Sequence, residues 1–245
     1  MKSDSQFENL DLPSVGIVRT TPRISREELF SYKRCYMGVS LDNPVFGGRS
    51  LHALLLWAVE NFDQCLVVVG DYLQRINERI LNGLKDDAAS RAAQDAGDLF
   101  MRRVDRLLRR FPARRIHLTR WKPYLQNHQY RKSRAVLDDL FASDSDFRAS
   151  VERDAFAFTR RQTRRNRPLA VPLEDAIDLS CRYLLEEIAV FNILSEQGWK
   201  VELYPGPELS VLVDIAKGSY MHVPRGLKER INVELKISEN PTEQL

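Results

Sequence analysis

Residues 35–70 contain the pattern that most restricts the fold: a strand, a loop, a helix and a second strand, in that order. Residues 35–40 form an apolar run that ends in a serine, and the chain-breaking residues 42–44 follow it. Residues 50–62 have the apolar spacing of a helix, whereas residues 65–70 are a short, continuous apolar run. Such a run is typical of a parallel strand that is covered on both faces. We therefore predict an α/β protein with a doubly wound, mainly parallel sheet flanked by helices.

The remaining periodicities predict further elements of the same fold. We predict helices over residues 72–84, 87–111, 124–141, 147–166 and 173–196, strands over residues 116–121, 199–204 and 209–215, and an edge strand over residues 231–237. A chain of 245 residues can bury one large core without a second domain. We expect residues 1–25 to be loosely ordered and residues 26–245 to form a single Rossmann-like domain.

Composition and local patterns exclude several classes of protein. No apolar run approaches the roughly 18 to 20 residues that cross a bilayer. The polar, acidic N-terminus lacks the order of a signal peptide, so we expect a cytoplasmic protein. Cys35, Cys65 and Cys181 occur singly within apolar stretches, which indicates core residues and predicts neither a disulfide framework nor a metal site. Because no long apolar stripe is evident, we expect a monomer.

The net charge of +3 conceals a strong segregation of charge along the chain. Residues 102–134 carry a net charge of +11 and residues 148–167 carry +5, which leaves −13 on the remainder. Like charges that are held together repel one another and cost stability. Concentrated positive charge on an acidic body therefore predicts a docking surface for a polyanion.

The first basic segment has the pattern of an amphipathic helix. On a helical projection its arginines fall within an arc of about 120°, opposite an apolar face. We take the acids that normally offset such a row at i+3 or i+4 to be absent, which favours a contact with nucleic acid phosphates. The arginines of this row are Arg102, Arg103, Arg106, Arg109 and Arg110. A second group, at positions 160, 161, 164, 165 and 167, either extends the same track or only ends a helix.

Ser40 is the candidate nucleophile, because it lies where a buried strand gives way to a loop. A serine hydroxyl needs a base or an activated target. The sequence from Gly38 to Asp42 is not a Gly-x-Ser-x-Gly elbow, and none of the four histidines has a setting that singles it out. An α/β serine hydrolase and a non-catalytic RNA-binding protein both stay open as alternatives.

Further candidates lie on the long helix and on a later strand. Tyr183 and Glu187 are one helical turn apart, so a phenol and a carboxylate can together hold an ammonium group. Tyr204 ends a strand just before Pro205, at a sheet edge where ligands collect. If residues 199–204 form a strand, alternation places Glu202 on the same face as Tyr204, where it would favour a basic substrate side chain such as that of His, Lys or Arg. The alternative is that the strand twists away and Glu202 meets solvent or an arginine.

In order along the chain, these features resemble the cyclodipeptide synthase family over about residues 33–215. The resemblance rests on Gly38-Val-Ser40, the arginine-rich helix, Tyr130, Tyr183-x-x-x-Glu187 and Tyr204-Pro205. It implies a fold similar to the catalytic domain of class I aminoacyl-tRNA synthetases and the formation of cyclic dipeptides from two aminoacyl-tRNAs. It also implies no ATP and no metal cofactor, and the sequence has no His-x-Gly-His, Lys-Met-Ser-Lys-Ser or P-loop motif.

The resemblance also implies a role for each candidate residue. Ser40 would form an aminoacyl-enzyme and then a dipeptidyl-enzyme, while Glu187 and Tyr183 hold the first α-ammonium group. Tyr204 would relay a proton during cyclisation, Tyr130 would position the aminoacyl group, and the five arginines would contact tRNA phosphates. The remaining residues expected to bind substrate are Gly38, Asn43 and Glu202. Tyr204-Pro205 resembles the Tyr-Pro subgroup, to which we assign the chain, whereas Asn43 is typical of the Asn-Tyr-His subgroup.

Overall fold

The computed structural model describes residues 12–164 and 167–239. Within these ranges, six strands form a single sheet in the order β1-β6-β5-β2-β3-β4. The strands are β1 (Ser14–Thr21), β2 (Arg34–Val39), β3 (Gln64–Val69), β4 (Ile116–Arg120), β5 (Val201–Tyr204) and β6 (Ile231–Ser238). All neighbouring pairs are parallel except β1 and β6. The parallel strands thus run outward on both sides of β2, which is the predicted doubly wound arrangement.

Helices cover both faces of this sheet, and they are given with the bounds that the structure has. They are α1 (Arg26–Ser31), α2 (Gly48–Asn61), α3 (Gln74–Asn82), α4 (Asp86–Leu108), α5 (Lys122–Leu125), α6 (His128–Ser143), α7 (Ser145–Arg164), α8 (Leu173–Glu196), α9 (Ser210–Ala216) and α10 (Arg225–Glu229), with a 3-10 turn at Pro44–Phe46. No helix among the described residues is both long enough and apolar enough to span a bilayer.

The alternation of side chains along the central strands divides the core into two parts. On β2, Tyr36 points into a cluster built with α3, α6, α7 and α8, whereas Cys35, Met37 and Val39 point into a cluster built with α2. β2 and β3 read as continuous apolar runs because both of their faces are buried. Helix α8 lies at the centre of the first cluster, and most of its length is buried.

The prediction of a strand over residues 209–215 is wrong, since α9 is a helix. Val211, Leu212 and Ile215 are its buried residues, and their spacing of one and then three residues fits one helical face. The β-branched residues of this segment favour a strand in isolation. Packing against α7 overrides that preference, because the helix buries all three side chains on one side.

Two further differences concern the far side of the sheet. β6 is not an edge strand, because it lies between β5 and β1. Residues 14–21, which the sequence places in the loosely ordered N-terminal segment, form β1 and pair with β6 along its length. Residues 1–11 of that segment lie outside the described residues. β1 and β4 are therefore the outer strands of the sheet that the structure describes.

Candidate active site

A cavity of about 470 Å³ lies at the carboxyl ends of β2 and β5. These strands are neighbours in the sheet, and the chain leaves β2 toward β3 on one side and reaches β5 on the other. Ligands of open α/β sheets bind at this position, where the strand order reverses. The cavity brings together seven of the residues predicted from the sequence: Gly38, Ser40, Asn43, Tyr183, Glu187, Glu202 and Tyr204.

Ser40 directly follows β2 and lies at the start of a tight turn. Its carbonyl oxygen accepts a hydrogen bond from the backbone N–H of Asn43 at 3.1 Å. The Asn43 side chain in turn accepts from the backbone N–H of Val45 at 3.2 Å and caps the 3-10 turn. Ser40 is half-buried and lines the cavity. The turn therefore fixes the backbone of Ser40 at the wall of the cavity.

The described cavity wall contains no histidine. His52 is buried on α2 with its ring 5.6 Å from that of Phe111, and His117 packs 6.2 Å from Trp199. A Ser-His-acid triad needs its histidine within hydrogen-bonding reach of the serine. The arrangement therefore gives no support to the serine hydrolase alternative, and it favours a substrate that is already activated.

Glu187 and Tyr183 project from α8 into the cavity, one helical turn apart. Burial raises the pKa of Glu187 to about 8, and the nearby carboxylates Glu202 and Glu186 add to the effect against the opposing charge of Arg230. Burial also holds the pKa of Tyr183 well above its usual value. An ammonium group beside Glu187 would place a positive charge next to its carboxylate and so stabilise the ionised form.

Tyr204 completes this group from the end of β5. Burial raises its pKa, Glu187 raises it further, and a side-chain hydrogen bond with Asn43 opposes the shift. Its ring also packs against Phe46 of the 3-10 turn, with centroids 6.2 Å apart. Two phenols and a carboxyl group from α8 and β5 thus face the turn that carries Ser40.

Glu202 faces the cavity but is engaged by a residue that the sequence analysis missed. Its Oε2 accepts hydrogen bonds from the Tyr36 hydroxyl at 3.1 Å and from Nε of Arg230 at 2.8 Å. Nη1 of Arg230 donates to Oε1 of Glu208 at 2.6 Å. Arg230 and Glu208 also line the cavity. Only the pairing of β5 with β6 brings these residues together, so no local pattern could have revealed them.

The structure does not bring Tyr130 to the cavity. Tyr130 lies on α6, where it interacts with Arg134 and lies near Arg75 and Glu186. Instead, the indole of Trp121 borders the cavity, and its Nε1 donates to Glu186 at 3.1 Å. The expected role of Tyr130 in positioning the aminoacyl group therefore has no geometric support.

The arginine row lies at the exposed end of α4 and in the turn that follows. Arg102, Arg103 and Arg106 belong to the helix, whereas Arg109 and Arg110 come after its end at Leu108, and all five are exposed. The expectation of an unopposed row is corrected at one position, since Arg109 donates to Asp105 at 2.9 Å. The other four still form a concentrated cationic surface.

Part of the second basic group reaches the cavity. Arg161 of α7 lines it, and Nη1 of Arg167 lies 4.0 Å from Oδ1 of Asp42. Arg165 lies outside the described residues. Positive charge is therefore available at the rim where a polyanionic substrate would enter. No group of three or more His, Cys, Asp or Glu side chains within residues 12–164 and 167–239 could hold a metal ion.

Comparisons with known proteins give a family and a fold. The family described as Cyclodipeptide synthase matches residues 23–194, whereas no curated protein matches the chain. A cyclodipeptide synthase structure from Fluoribacter dumoffii has a TM-score of 0.77 at 19% identity, over 94% of this chain and 100% of that one. A cyclodipeptide synthase from Candidatus Glomeribacter gigasporarum bound to Phe-tRNAPhe has a TM-score of 0.62 at 15% identity, over 86% and 90%.

An aminoacyl-tRNA synthetase also has a similar fold, as the resemblance stated above implies. Tyrosyl-tRNA synthetase from Aeropyrum pernix is similar with a TM-score of 0.54 at 13% identity, over 89% of this chain and 57% of that one. The expected likeness to the catalytic domain of class I aminoacyl-tRNA synthetases is confirmed at the level of the fold.

Proposed function

Because the chain belongs to the cyclodipeptide synthase family, whose members are aminoacyl transferases that make cyclic dipeptides from charged tRNA, we propose that Ser40 carries the growing dipeptide as an ester. The observation that carries this proposal is the convergence in one cavity of Ser40 from β2, Tyr183 and Glu187 from α8, and Tyr204 from β5. A nucleophile, a site for an ammonium group and a phenol are what such a sequence of acyl transfers requires.

In the first step, the Ser40 hydroxyl attacks the ester carbonyl of an aminoacyl-tRNA. A new ester forms at Oγ, the bond to the terminal ribose breaks, and the proton of the hydroxyl ends on the ribose oxygen that leaves. The amine of a second aminoacyl-tRNA then attacks the acyl carbonyl on Ser40; an amide bond forms, the Ser40 ester breaks, the serine oxygen takes up the proton of the amine, and the dipeptide is attached to the second tRNA. The Ser40 hydroxyl next attacks the ester of this dipeptidyl-tRNA, the second ribose leaves with the hydroxyl proton, and the dipeptide is held on Ser40. Its free amine finally attacks this last ester, which closes the ring and releases the serine.

Glu187 and Tyr183 hold the first α-ammonium group and prepare it for the last step. The amine must lose a proton before it can attack, and a carboxyl group with a pKa of about 8 can exchange that proton near neutral pH. Tyr204, which faces the same group, relays the proton during cyclisation. Gly38 and Asn43 border the space for the aminoacyl group.

The pair Tyr204-Pro205 supports assignment to the Tyr-Pro subgroup. Asn43, which is typical of the other subgroup, here caps the 3-10 turn and interacts with Tyr204. A capping residue at this position stabilises the loop that carries Ser40, and this structural role does not depend on the subgroup. We therefore retain the Tyr-Pro assignment as a proposal.

The exposed arginines at the end of α4 bind the tRNA backbone. Arg102, Arg103, Arg106 and Arg110 offer charge without base-reading geometry, so we expect recognition governed by phosphate charge and by shape. The relative whose structure contains Phe-tRNAPhe supports a charged tRNA as the substrate. Because the aminoacyl ester is already activated, we propose that the reaction needs neither ATP nor a metal. We further propose that the protein acts in the cytoplasm as a monomer.

The proposal is tested by the mass of the intact protein after incubation with a charged tRNA. We expect an acid-stable increase on Ser40 that corresponds to one aminoacyl group, and cyclic dipeptide in the medium. Ser40→Ala is expected to give neither while still binding tRNA. Hydrolysis of the ester with no covalent adduct would favour a hydrolase, and tRNA binding with no reaction would favour an RNA-binding protein.

A further inference from the structure

The wall of the cavity formed by β5, the segment that follows it and the residue before β6 carries more negative than positive charge. It contains two carboxylates, Glu202 and Glu208, around a single guanidinium group, that of Arg230. The side chains of all three are at most 4% exposed. A buried charge without a partner is costly, so an excess of one negative charge calls for a positive group.

The hydrogen bonds of this trio leave one oxygen of each carboxylate available. Both Arg230 and Tyr36 bind Oε2 of Glu202, whereas its Oε1 lies 3.7 Å from the position that a Cβ on Gly38 would occupy. Arg230 binds Oε1 of Glu208, and Oε2 of Glu208 is buried without a hydrogen-bond partner. Buried polar atoms in folded proteins are almost always satisfied, so an unsatisfied carboxylate oxygen on a cavity wall indicates a ligand.

Gly38 connects this wall to the proposed nucleophile. It lies two residues before Ser40, which corresponds to about 7 Å of strand, and its side of β2 faces Glu202 and Phe191. Because glycine has no side chain, space remains between Ser40 and the carboxylates. A long side chain of an amino acid esterified to Ser40 can therefore run past Gly38 to reach them.

We propose that this wall is the side-chain site for one of the two amino acids, and that it selects a cationic side chain, that of Lys, Arg or protonated His. The cation bridges Oε1 of Glu202 and Oε2 of Glu208 and restores neutrality to the trio with Arg230. This inference rests on the proposed function, since it names the substrate class of the same site. It moves the main recognition from Glu202 to Glu208, whose free oxygen the sequence did not reveal.

The test compares single aminoacyl-tRNAs as donors in vitro, with cyclic dipeptides identified by mass spectrometry. With each charged tRNA supplied alone, we expect a Ser40 adduct from at least one of lysyl-, arginyl- and histidyl-tRNA, and much less adduct from glutaminyl-, leucyl- and phenylalanyl-tRNA. Cyclic dipeptide is expected when the accepted cationic donor is combined with the other charged tRNAs. Glu208→Gln keeps an acceptor for Arg230 but removes the negative charge. It is expected to lower use of the cationic donor relative to neutral donors by roughly 30-fold or more.

Glu234→Gln is the matched control, because Glu234 on β6 also forms an ion pair with an arginine, Arg19, but does not line the cavity. It should leave donor preference unchanged, and thermal unfolding checks that both variants fold. Efficient use of neutral donors alone would overturn the inference and leave the proposed function standing. Unchanged use of the cationic donor by Glu208→Gln would also overturn it. No Ser40 adduct and no cyclic dipeptide from any charged tRNA, alone or in pairs, would instead overturn the proposed function itself.

Discussion

Replacement of Glu187 by glutamine should stabilise the protein, and the gain should grow with pH. The unfolded carboxyl group has a pKa near 4.5, and burial raises the folded value to about 8. Because the folded pKa is the higher one, the folded state binds this proton more tightly than the unfolded state does, and protonation of Glu187 stabilises the fold. This stabilisation is fully present below pH 4.5 and is lost as the pH rises through 8. Glutamine carries no ionisable group and has nearly the same shape, so Glu187→Gln avoids this loss.

The size of the effect follows from the two pKa values. At 1.36 kcal/mol per pH unit, ionisation of Glu187 costs the fold about 1 kcal/mol at pH 5, about 3 kcal/mol at pH 7 and between roughly 4 and 5 kcal/mol at pH 9. Relaxation of the site around the charge reduces this cost. The expected difference in the free energy of unfolding between Glu187→Gln and the wild type therefore increases by a few kcal/mol from pH 5 to pH 9.

Urea unfolding at pH 5, 7 and 9 measures this difference directly. Glu60→Gln serves as the control, because Glu60 is an exposed glutamate on α2, and it should stay within about 0.5 kcal/mol of the wild type at each pH. A difference for Glu187→Gln that does not change with pH would refute the argument that burial keeps this carboxyl group protonated. The same variant should lose cyclic dipeptide formation, since glutamine cannot accept the proton of the α-ammonium group.

Three further predictions address the tRNA surface, the scaffold and the cavity. Arg102→Glu with Arg106→Glu should weaken tRNA binding and reduce the slope of log affinity against log salt by about one for each phosphate that the protein no longer neutralises; an unchanged affinity in filter binding would mean that the row is only surface. Arg75→Ala should lower the free energy of unfolding by roughly 3 to 5 kcal/mol in urea titrations, because it leaves the buried Glu186 without its ion-pair partner. A decrease under about 1 kcal/mol would contradict this. Gly38→Ala should fold normally, since the added Cβ meets atoms no closer than 3.7 Å. In donor assays it should slow the use of tRNAs that carry long side chains more than the use of alanyl-tRNA. Equal slowing of both kinds of donor would contradict the path of the side chain past Gly38.

The sequence was sufficient for the parts of the molecule that depend on local periodicity. The two apolar runs of β2 and β3 predict parallel strands because each is buried on both faces, and α8 has a helical pattern long enough to be unambiguous. Ser40 and Tyr204 end up in one cavity because both lie at the ends of strands whose carboxyl ends meet at one edge of the sheet.

Contacts that depend on strand order could not be predicted in the same way. Arg230 lies 28 residues after Glu202 in the sequence and reaches it because β6 pairs with β5. The sequence instead predicts that β6 is an edge strand. The helix α9 was missed because its valines favour strands while its buried face is set by α7. Tyr130 was assigned to the site from the resemblance alone, and no periodicity places α6 beside the cavity.

Two adjacent residues of α8 show how one helix can supply both support and chemistry. Glu186 is buried and accepts two hydrogen bonds from Arg75, at 2.9 and 2.6 Å, and one from Trp121 at 3.1 Å. Glu187 points about 100° away around the helix, into the cavity, and no described residue donates a hydrogen bond to it. A carboxylate that is fully bonded can only hold the scaffold together, whereas one without partners must take a proton or a cation. The burial that destabilises ionised Glu187 is therefore also what makes it able to receive an α-ammonium group, and a variant that relieves this cost should lose the reaction.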